Sequence, residues 1–262
     1  MNDNLQGPPK ATLAQQMFGS QAPVYAASQV HVSDDSLDLI KSLTAGDTYG
    51  WTIDLGTGAG FTAFAMTEFS RRVLATDPTL PMLQQTRRLG QERQLGNLMI
   101  CQSAAEALPI ADNSLDLVTC RVAAHHFTNF AQALNEIQRL LKVGGALVMA
   151  DSVAPEDDVV AEWMNDIELR RDFSHVKNRQ VSEIEAMLAE RGLDVVQQKH
   201  ARIYLQFNDW VARTATSQEQ VTTLRDDFLS ASPAVQEAFQ IQAVGDDIHF
   251  SWPCLVFRAV KQ

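Results

Sequence analysis

The stretch WTIDLGTGAG, residues 51–60, decides the fold. It starts as a short apolar strand, Trp51–Leu55, and ends in a glycine cluster before an apolar helix predicted over 61–69. Glycines let a backbone turn sharply and approach a ligand without a side-chain clash, and the first N–H groups of the following helix can face a negatively charged group. The stretch therefore predicts a ligand-binding turn between a buried strand and a helix.

The spacing of the glycines indicates which ligand the turn holds. A dinucleotide-binding turn has the pattern Gly-x-Gly-x-x-Gly, but here the third glycine is Gly60, and Phe61 stands where the dinucleotide pattern needs glycine. Asp54 directly precedes the turn, where its charge would repel a diphosphate and attract an ammonium or sulfonium group. The pattern favours a ligand with an amino-acid cation, and a purely structural turn is the alternative.

A second acid, Asp77, ends the next predicted strand, 73–76. An acid at this place in a nucleotide-binding fold accepts hydrogen bonds from ribose hydroxyls. The alternative is a helix cap for the segment that begins at Pro78. Coupled to the glycine turn, Asp77 favours the ribose interpretation.

Strands and helices alternate through the first half of the chain, which predicts an α/β fold with a parallel sheet covered on both faces. The predicted strands are 51–55, 73–76, 98–102, 115–120 and 146–150, and the predicted helices are 61–69, 81–95 and 130–141. Beyond Asp151 the pattern predicts helices over 156–173 and 182–191, with Ser182 as the N-cap of the second, then extended pieces at 194–199 and 202–207. A helical stretch over 208–245 and a last strand over 250–260 follow.

Composition excludes several classes of protein. The chain has 262 residues, 45% hydrophobic, and a formal net charge of -11, which disfavours a nucleic acid as partner because phosphates are repelled. Its three cysteines have neither disulfide nor zinc spacing, and no other set of residues has metal spacing, so no metal is predicted. Without a signal peptide or an 18-residue apolar window, the sequence predicts a cytoplasmic protein with no integral membrane association. It does not indicate an oligomeric state.

The motifs resemble the class I S-adenosylmethionine-dependent methyltransferases, most closely the branch of ubiquinone/menaquinone C-methyltransferases and other small-molecule methyltransferases. The matching pieces are 54–60, 77–78 with 82–83, 104–109, 114–118 and 141–145. The resemblance implies a Rossmann-like sheet of seven strands, mostly parallel with the last strand antiparallel, and helices on both faces. It implies a frayed tail over 1–16 and a single domain over 17–262. Within that domain it places an N-terminal lid at 17–43, a cofactor-binding core at 50–151, substrate-side elements and a helical insertion at 152–245, and the final strand at 250–260.

The resemblance also implies S-adenosyl-L-methionine as the cofactor, with the glycine backbone along its methionine part, Asp54 near its ammonium group and Asp77 on its ribose. The predicted cofactor-binding residues are Tyr25, Asp54, Gly56, Thr57, Gly58, Gly60, Asp77, Pro78, Met82, Ala105, Glu106 and Arg121. Ala104 stands where many relatives carry Asp, which removes a side-chain bond to the adenine.

The function implied is methyl transfer to a small-molecule O, N or C nucleophile by in-line displacement, with a base needed only if the nucleophile holds a proton. His125 follows the fourth strand and is the histidine that we expect to face the substrate, with His31 and His175 as further candidate catalytic residues. For each, a structural role is the alternative. Two other functions stay open: a non-methylating step such as a cyclisation, and a non-catalytic methyltransferase-like partner protein.

Overall fold

The computed structural model describes residues 12–27 and 35–262. Within these residues one sheet of eight strands is formed: β1 (Tyr49–Leu55), β2 (Ser70–Asp77), β3 (Leu98–Gln102), β4 (Leu115–Arg121), β5 (Leu141–Ser152), β6 (Leu193–Gln206), β7 (Gln242–Val244) and β8 (Asp247–Lys261). The order is β3-β2-β1-β4-β5-β8-β6, with β7 paired to β8. The first five strands are parallel, and β8 runs antiparallel between β5 and β6. This confirms the predicted Rossmann-like sheet, to which the short β7 is an addition.

Helices cover both faces of the sheet. In chain order they are α1 (Leu13–Ala27), α2 (Asp35–Thr44), α3 (Phe61–Met66), α4 (Leu80–Glu92), α5 (Phe130–Leu140), α6 (Asp158–Arg171), α7 (Val181–Ala189), α8 (Phe207–Ala212), α9 (Gln218–Leu229) and α10 (Pro233–Phe239). Successive side chains of a strand point to opposite faces, so the sheet contributes to one apolar cluster on each of its faces. On one face, Ile53 and Leu55 of β1 share a cluster with α5 and α7. On the other face, Val73 and Ala75 of β2 share a cluster with α2 and α3.

The insertion before the last strand forms a third apolar cluster. Residues of α6, α8, α9 and α10 pack there around the end of β6 and the start of β8. Its centre is aromatic: the rings of Trp210, Phe228, Phe250 and Trp252 make edge and tilted contacts with one another. The buried indole N–H of Trp252 donates to the carboxylate of Glu168, which satisfies this polar group inside the cluster.

Three details differ from the prediction. Helix α1 begins at Leu13, inside the segment expected to be a frayed tail. The two extended pieces after 193 are one strand, β6, with a pairing irregularity between Val195 and Gln197. Helix α7 begins after Gln180, and the Ser182 hydroxyl donates to Glu156 instead of capping the helix. In the part of the chain that the structure describes, no helix is long and apolar enough to cross a membrane.

Candidate active site

A cavity of about 380 Å³ lies at the carboxyl ends of β1, β2 and β4. Ligands of open parallel sheets bind at this edge, because the loops that follow the strands are collected there. The lining residues come from six segments of the chain: 12–18, 56–62, 77–82, 104–106, 121–128 and 174–176. Helix α1 closes one side, where the Gln15 side chain donates to the carbonyl of Pro78 at 2.8 Å.

The glycine turn, which joins β1 to α3, forms the floor of the cavity. Gly56, Gly58 and Gly60 all have positive φ, 61°, 54° and 98°, which a residue with a Cβ rarely adopts. A Cβ on Gly56 would lie 2.6 Å from the Cβ of Ala123, and one on Gly60 would lie 2.6 Å from the Phe64 ring. At Gly58 the same position is open, so a ligand can approach this backbone closely. Gly56 and Gly58 line the cavity, and Gly60 packs beneath it.

Asp54 does not line the cavity. Its buried carboxylate accepts hydrogen bonds from the hydroxyls of Thr57 at 2.6 Å and Thr119 at 2.7 Å. Burial raises the pKa of Asp54 to about 6, although both hydrogen bonds and the charge of Arg121 oppose the shift. The acid therefore ties the glycine turn to β4 from below, and it is not placed where an ammonium group would meet it directly.

Asp77 lines the cavity at the end of β2. One carboxylate oxygen accepts from the N–H of Gly58 at 3.0 Å and the other from the N–H of Thr79 at 2.8 Å. Burial raises the pKa of Asp77, while these backbone bonds lower it. Because a carboxylate oxygen can accept more than one hydrogen bond, both oxygens keep capacity for the hydroxyls of a ligand.

The other predicted cofactor residues gather around the same space. Thr57, Pro78, Met82, Ala105, Glu106 and Arg121 all line it. Glu106 is fixed by hydrogen bonds from the Thr128 hydroxyl and the Asn129 N–H, and Arg121 donates to the Thr62 hydroxyl at 3.0 Å. Tyr25 belongs to α1, but its side chain lies outside the described part, and His31 lies outside the described residues.

The histidine predicted to face the substrate is corrected. His126 and His175 line the cavity, and His125 does not. Nδ1 of His125 lies 2.6 Å from Oδ1 of Asp151, whose other oxygen accepts the His125 N–H, so the ring is held behind the cavity wall. The ring centroids of His125 and His126 are 4.1 Å apart, and those of His126 and His175 are 6.5 Å apart.

The pKa values of the three rings are shifted in different directions. Burial alone would lower the pKa of His125, but the charge and hydrogen bond of Asp151, with more distant carboxylates, raise it. Burial and the charge of His125 lower the pKa of His126 to about 4. Burial and the charges of both neighbours lower the pKa of His175 to about 3. The cavity therefore meets two neutral imidazoles, with the hydrogen-bonded His125 and Asp151 behind them.

Sequence reasoning missed several residues of this cluster. Asn165 of α6 holds His175, and Thr119 of β4 holds Asp54, and no local motif marks either residue. Phe18 of α1 meets the His126 ring edge-on at 4.9 Å between centroids. Among the described residues no group of His, Cys, Asp or Glu is arranged to hold a metal ion.

Comparison with known proteins identifies the family. The model of a methyltransferase domain matches residues 53–149. An uncharacterised methyltransferase of Bacillus subtilis, YcgJ, is 29% identical over 94% of this chain and 98% of its own, and its crystal structure has a TM-score of 0.81. The protein YafE of Escherichia coli is 35% identical over 72% of this chain and 92% of its own. A ubiquinone/menaquinone C-methyltransferase of Rubrivivax gelatinosus is 34% identical over 39% of each chain.

The fold is the Rossmann-like fold of methyltransferases, and its cavity lies at the edge of the sheet where such folds bind ligands. The chain belongs to the class I S-adenosylmethionine-dependent methyltransferases.

Proposed function

We propose that this protein transfers the methyl group of S-adenosylmethionine to a small molecule that binds beside His126 and His175. The observation that carries the proposal is that one cavity is lined both by the glycine turn with Asp77 and by the two neutral histidines. A ligand seated on the first set and a ligand seated on the second therefore share one space. The net charge of -11 further favours a small molecule over a nucleic acid.

The residues present fit S-adenosylmethionine. The open backbone at Gly58 admits its methionine part, Asp77 offers acceptors for its ribose hydroxyls, and Met82, Ala105 and Glu106 would border its adenine. When bound, it supplies an activated methyl group on a sulfonium sulfur. The chain then has to align the acceptor and keep water away, which is the larger part of catalysis for a donor that is already activated.

The first experiment is calorimetry of S-adenosylmethionine and S-adenosylhomocysteine on the wild type and on Asp77→Asn. The substitution keeps one amide oxygen but removes the charge-assisted acceptors, so we expect binding at least about tenfold weaker, equivalent to about 1.4 kcal/mol. Asp194→Ala, at an exposed acid of β6, is the matched control and leaves affinity unchanged. Absence of binding to the wild type by either ligand would refute the proposed function.

Transfer itself is tested next, by incubating the protein with S-adenosylmethionine and a panel of small hydroxyl, amine and carbon acids. The expected product is heavier than its parent by one methylene unit, together with one S-adenosylhomocysteine per turnover. Binding of the cofactor together with a product of unchanged mass but rearranged bonds would instead point to the cyclisation alternative.

A further inference from the structure

The tautomer of His126 is fixed by the main chain. Its Nδ1 lies 3.1 Å from the carbonyl oxygen of Ser174, and a carbonyl oxygen only accepts. The Ser174 hydroxyl, 3.3 Å from the same nitrogen, donates its own hydrogen to Asp172 at 2.6 Å. Nδ1 of the neutral ring therefore carries the hydrogen. Nε2 keeps a free lone pair, and no described residue donates a hydrogen bond to it.

The tautomer of His175 is fixed by Asn165. Nε2 of the ring lies 2.9 Å from Oδ1 of Asn165, and the same oxygen accepts the N–H of Asn178 at 2.7 Å. The Asn165 amide nitrogen donates to the carbonyls of Ala161 and Asn178, which settles which atom of the amide is oxygen. Nε2 of His175 therefore carries the hydrogen. Its Nδ1 is a buried acceptor with no hydrogen-bond partner among the described residues.

Burial disfavours a charge on either ring. Any positive charge on the neighbouring His125 adds to this effect, although Asp151 partly offsets it. An acceptor that is left unpaired in a buried site costs free energy, which a donating ligand recovers. His126 therefore offers the cavity an acceptor at Nε2, whereas Nδ1 of His175 is enclosed and has almost no accessible surface.

We propose that His126 is the acceptor for a methyl-accepting molecule whose nucleophile carries a hydrogen, a hydroxyl or an amine, and that its Nε2 takes the proton, with His175 beside it in the same wall. This rests on the proposed function. As the oxygen or nitrogen forms its bond to the methyl carbon, its hydrogen leaves as a proton to Nε2, and the electron pair of the O–H or N–H bond stays on the nucleophile. The carbon–sulfur pair leaves with the sulfur. A carboxylate acceptor is disfavoured, because its oxygens would meet the lone pair on Nε2 of His126.

The strength of the base suits this role. A neutral hydroxyl is far too weak an acid to lose its proton to His126 before reaction. Once its oxygen is bonding to the methyl carbon, it becomes a strong acid, and even an imidazole with a pKa of about 4 accepts the proton. His126 then holds the proton only briefly, since a group with a pKa of about 4 releases its proton to water at pH 7.

The test reads the two nitrogens directly, by nitrogen-15 NMR of histidine-labelled protein with S-adenosylhomocysteine at pH 7. Signals are assigned with His126→Phe and His175→Phe, with His200→Phe, at an exposed position of β6, as the control. We expect Nε2 of His126 and Nδ1 of His175 to show the shifts of unprotonated nitrogens. An Nε2–H tautomer or an imidazolium at His126 overturns the proposal.

The donor preference is tested with phenol and aniline against anisole and benzoate, which have no such hydrogen at pH 7. Phenol or aniline should move the Nε2 shift of His126 towards the protonated value, and which of them does so distinguishes hydroxyl from amine. His126→Phe should bind the active probe roughly three- to tenfold more weakly. Equal shifts with anisole or benzoate, or none with either donor, overturn the proposal. Failure to bind S-adenosylhomocysteine at all would instead overturn the proposed function.

Discussion

The carboxyl group of Asp54 costs less free energy to bury in its neutral form than in its charged form. Its pKa of about 6 in the folded protein lies above its usual value of 3.8, so the folded state binds its proton more tightly than the unfolded state does. The stability that this proton contributes is complete below about pH 4 and is lost as the pH rises through about 6. At neutral pH the protein therefore holds an ionised carboxylate under the glycine turn at a cost in stability.

Asp54→Asn should remove this pH dependence. Between pH 4 and pH 7.5, the free energy of unfolding of the wild type should fall by about 2.4 kcal/mol relative to the variant, since each pKa unit is worth about 1.4 kcal/mol and a small part of the loss lies below pH 4. Urea unfolding of both proteins at several pH values measures the difference.

Asp116→Asn gives a control of opposite sign. Burial opposes the shift, but Lys142 and the Trp51 N–H together lower the pKa of Asp116. The stability that its charged form contributes is therefore present above the usual pKa of 3.8 and is lost as the pH falls. A parallel pH profile for wild type and Asp54→Asn would show that the Asp54 carboxylate is not desolvated.

Helix α1 is the element that separates the cavity from its surroundings on one side. Leu13, Ala14 and Phe18 line the cavity, and Phe18 rests against the His126 ring. Near its start, the Gln15 side chain donates a hydrogen bond to the carbonyl of Pro78. A helix that lines a cavity gains stability when a ligand fills the space beneath it.

S-Adenosylhomocysteine should therefore slow amide hydrogen exchange in α1 severalfold. Helix α9 contributes no residue to the cavity and serves as the internal control, with unchanged exchange. Mass spectrometry of peptic peptides with and without ligand compares the two helices. Equal protection of α1 and α9 would indicate a general stabilisation, and no protection of α1 would contradict its role as a lid.

The elements that the sequence predicts best are those with an unambiguous period. Helix α5 places Leu134, Ile137 and Leu140 on one buried face, and its bounds differ from the prediction only at the last residue. The bounds of a helix were harder to predict where a side chain had two possible hydrogen-bond partners. Ser182 fits an N-cap by spacing, but Glu156, distant along the chain, takes its hydroxyl.

The candidate site was predicted only in part, because some of its contacts join segments that are distant along the chain. Gly56 and Gly58 lie in the turn after β1, and Asp77 is the last residue of β2, so the sheet alone brings them together. The choice between His125 and His126 depends on Asp151, whose carboxylate draws His125 away from the cavity. That contact joins β5 to the loop after β4, and no pattern within either segment contains it.

At the scale of the whole molecule, the sheet supports two separate tasks. The cavity uses the ends of β1, β2 and β4, whereas the insertion packs its aromatic cluster around β6 and β8. No residue of that cluster lines the cavity. Stability contributed by the insertion and affinity for the cofactor should therefore be separable by substitution.

Phe228→Ala tests this separation. The ring is fully buried in the aromatic cluster, and we expect its loss to lower the free energy of unfolding by about 3–5 kcal/mol. Leu229→Ala, at the adjacent residue with 54% exposure, should change it by less than about 0.5 kcal/mol. Under conditions where both variants are folded, S-adenosylhomocysteine should bind each with the wild-type Kd to within about twofold. A large loss of affinity in Phe228→Ala alone would mean that the insertion determines the shape of the cavity, and that the two ends of the sheet act as one unit.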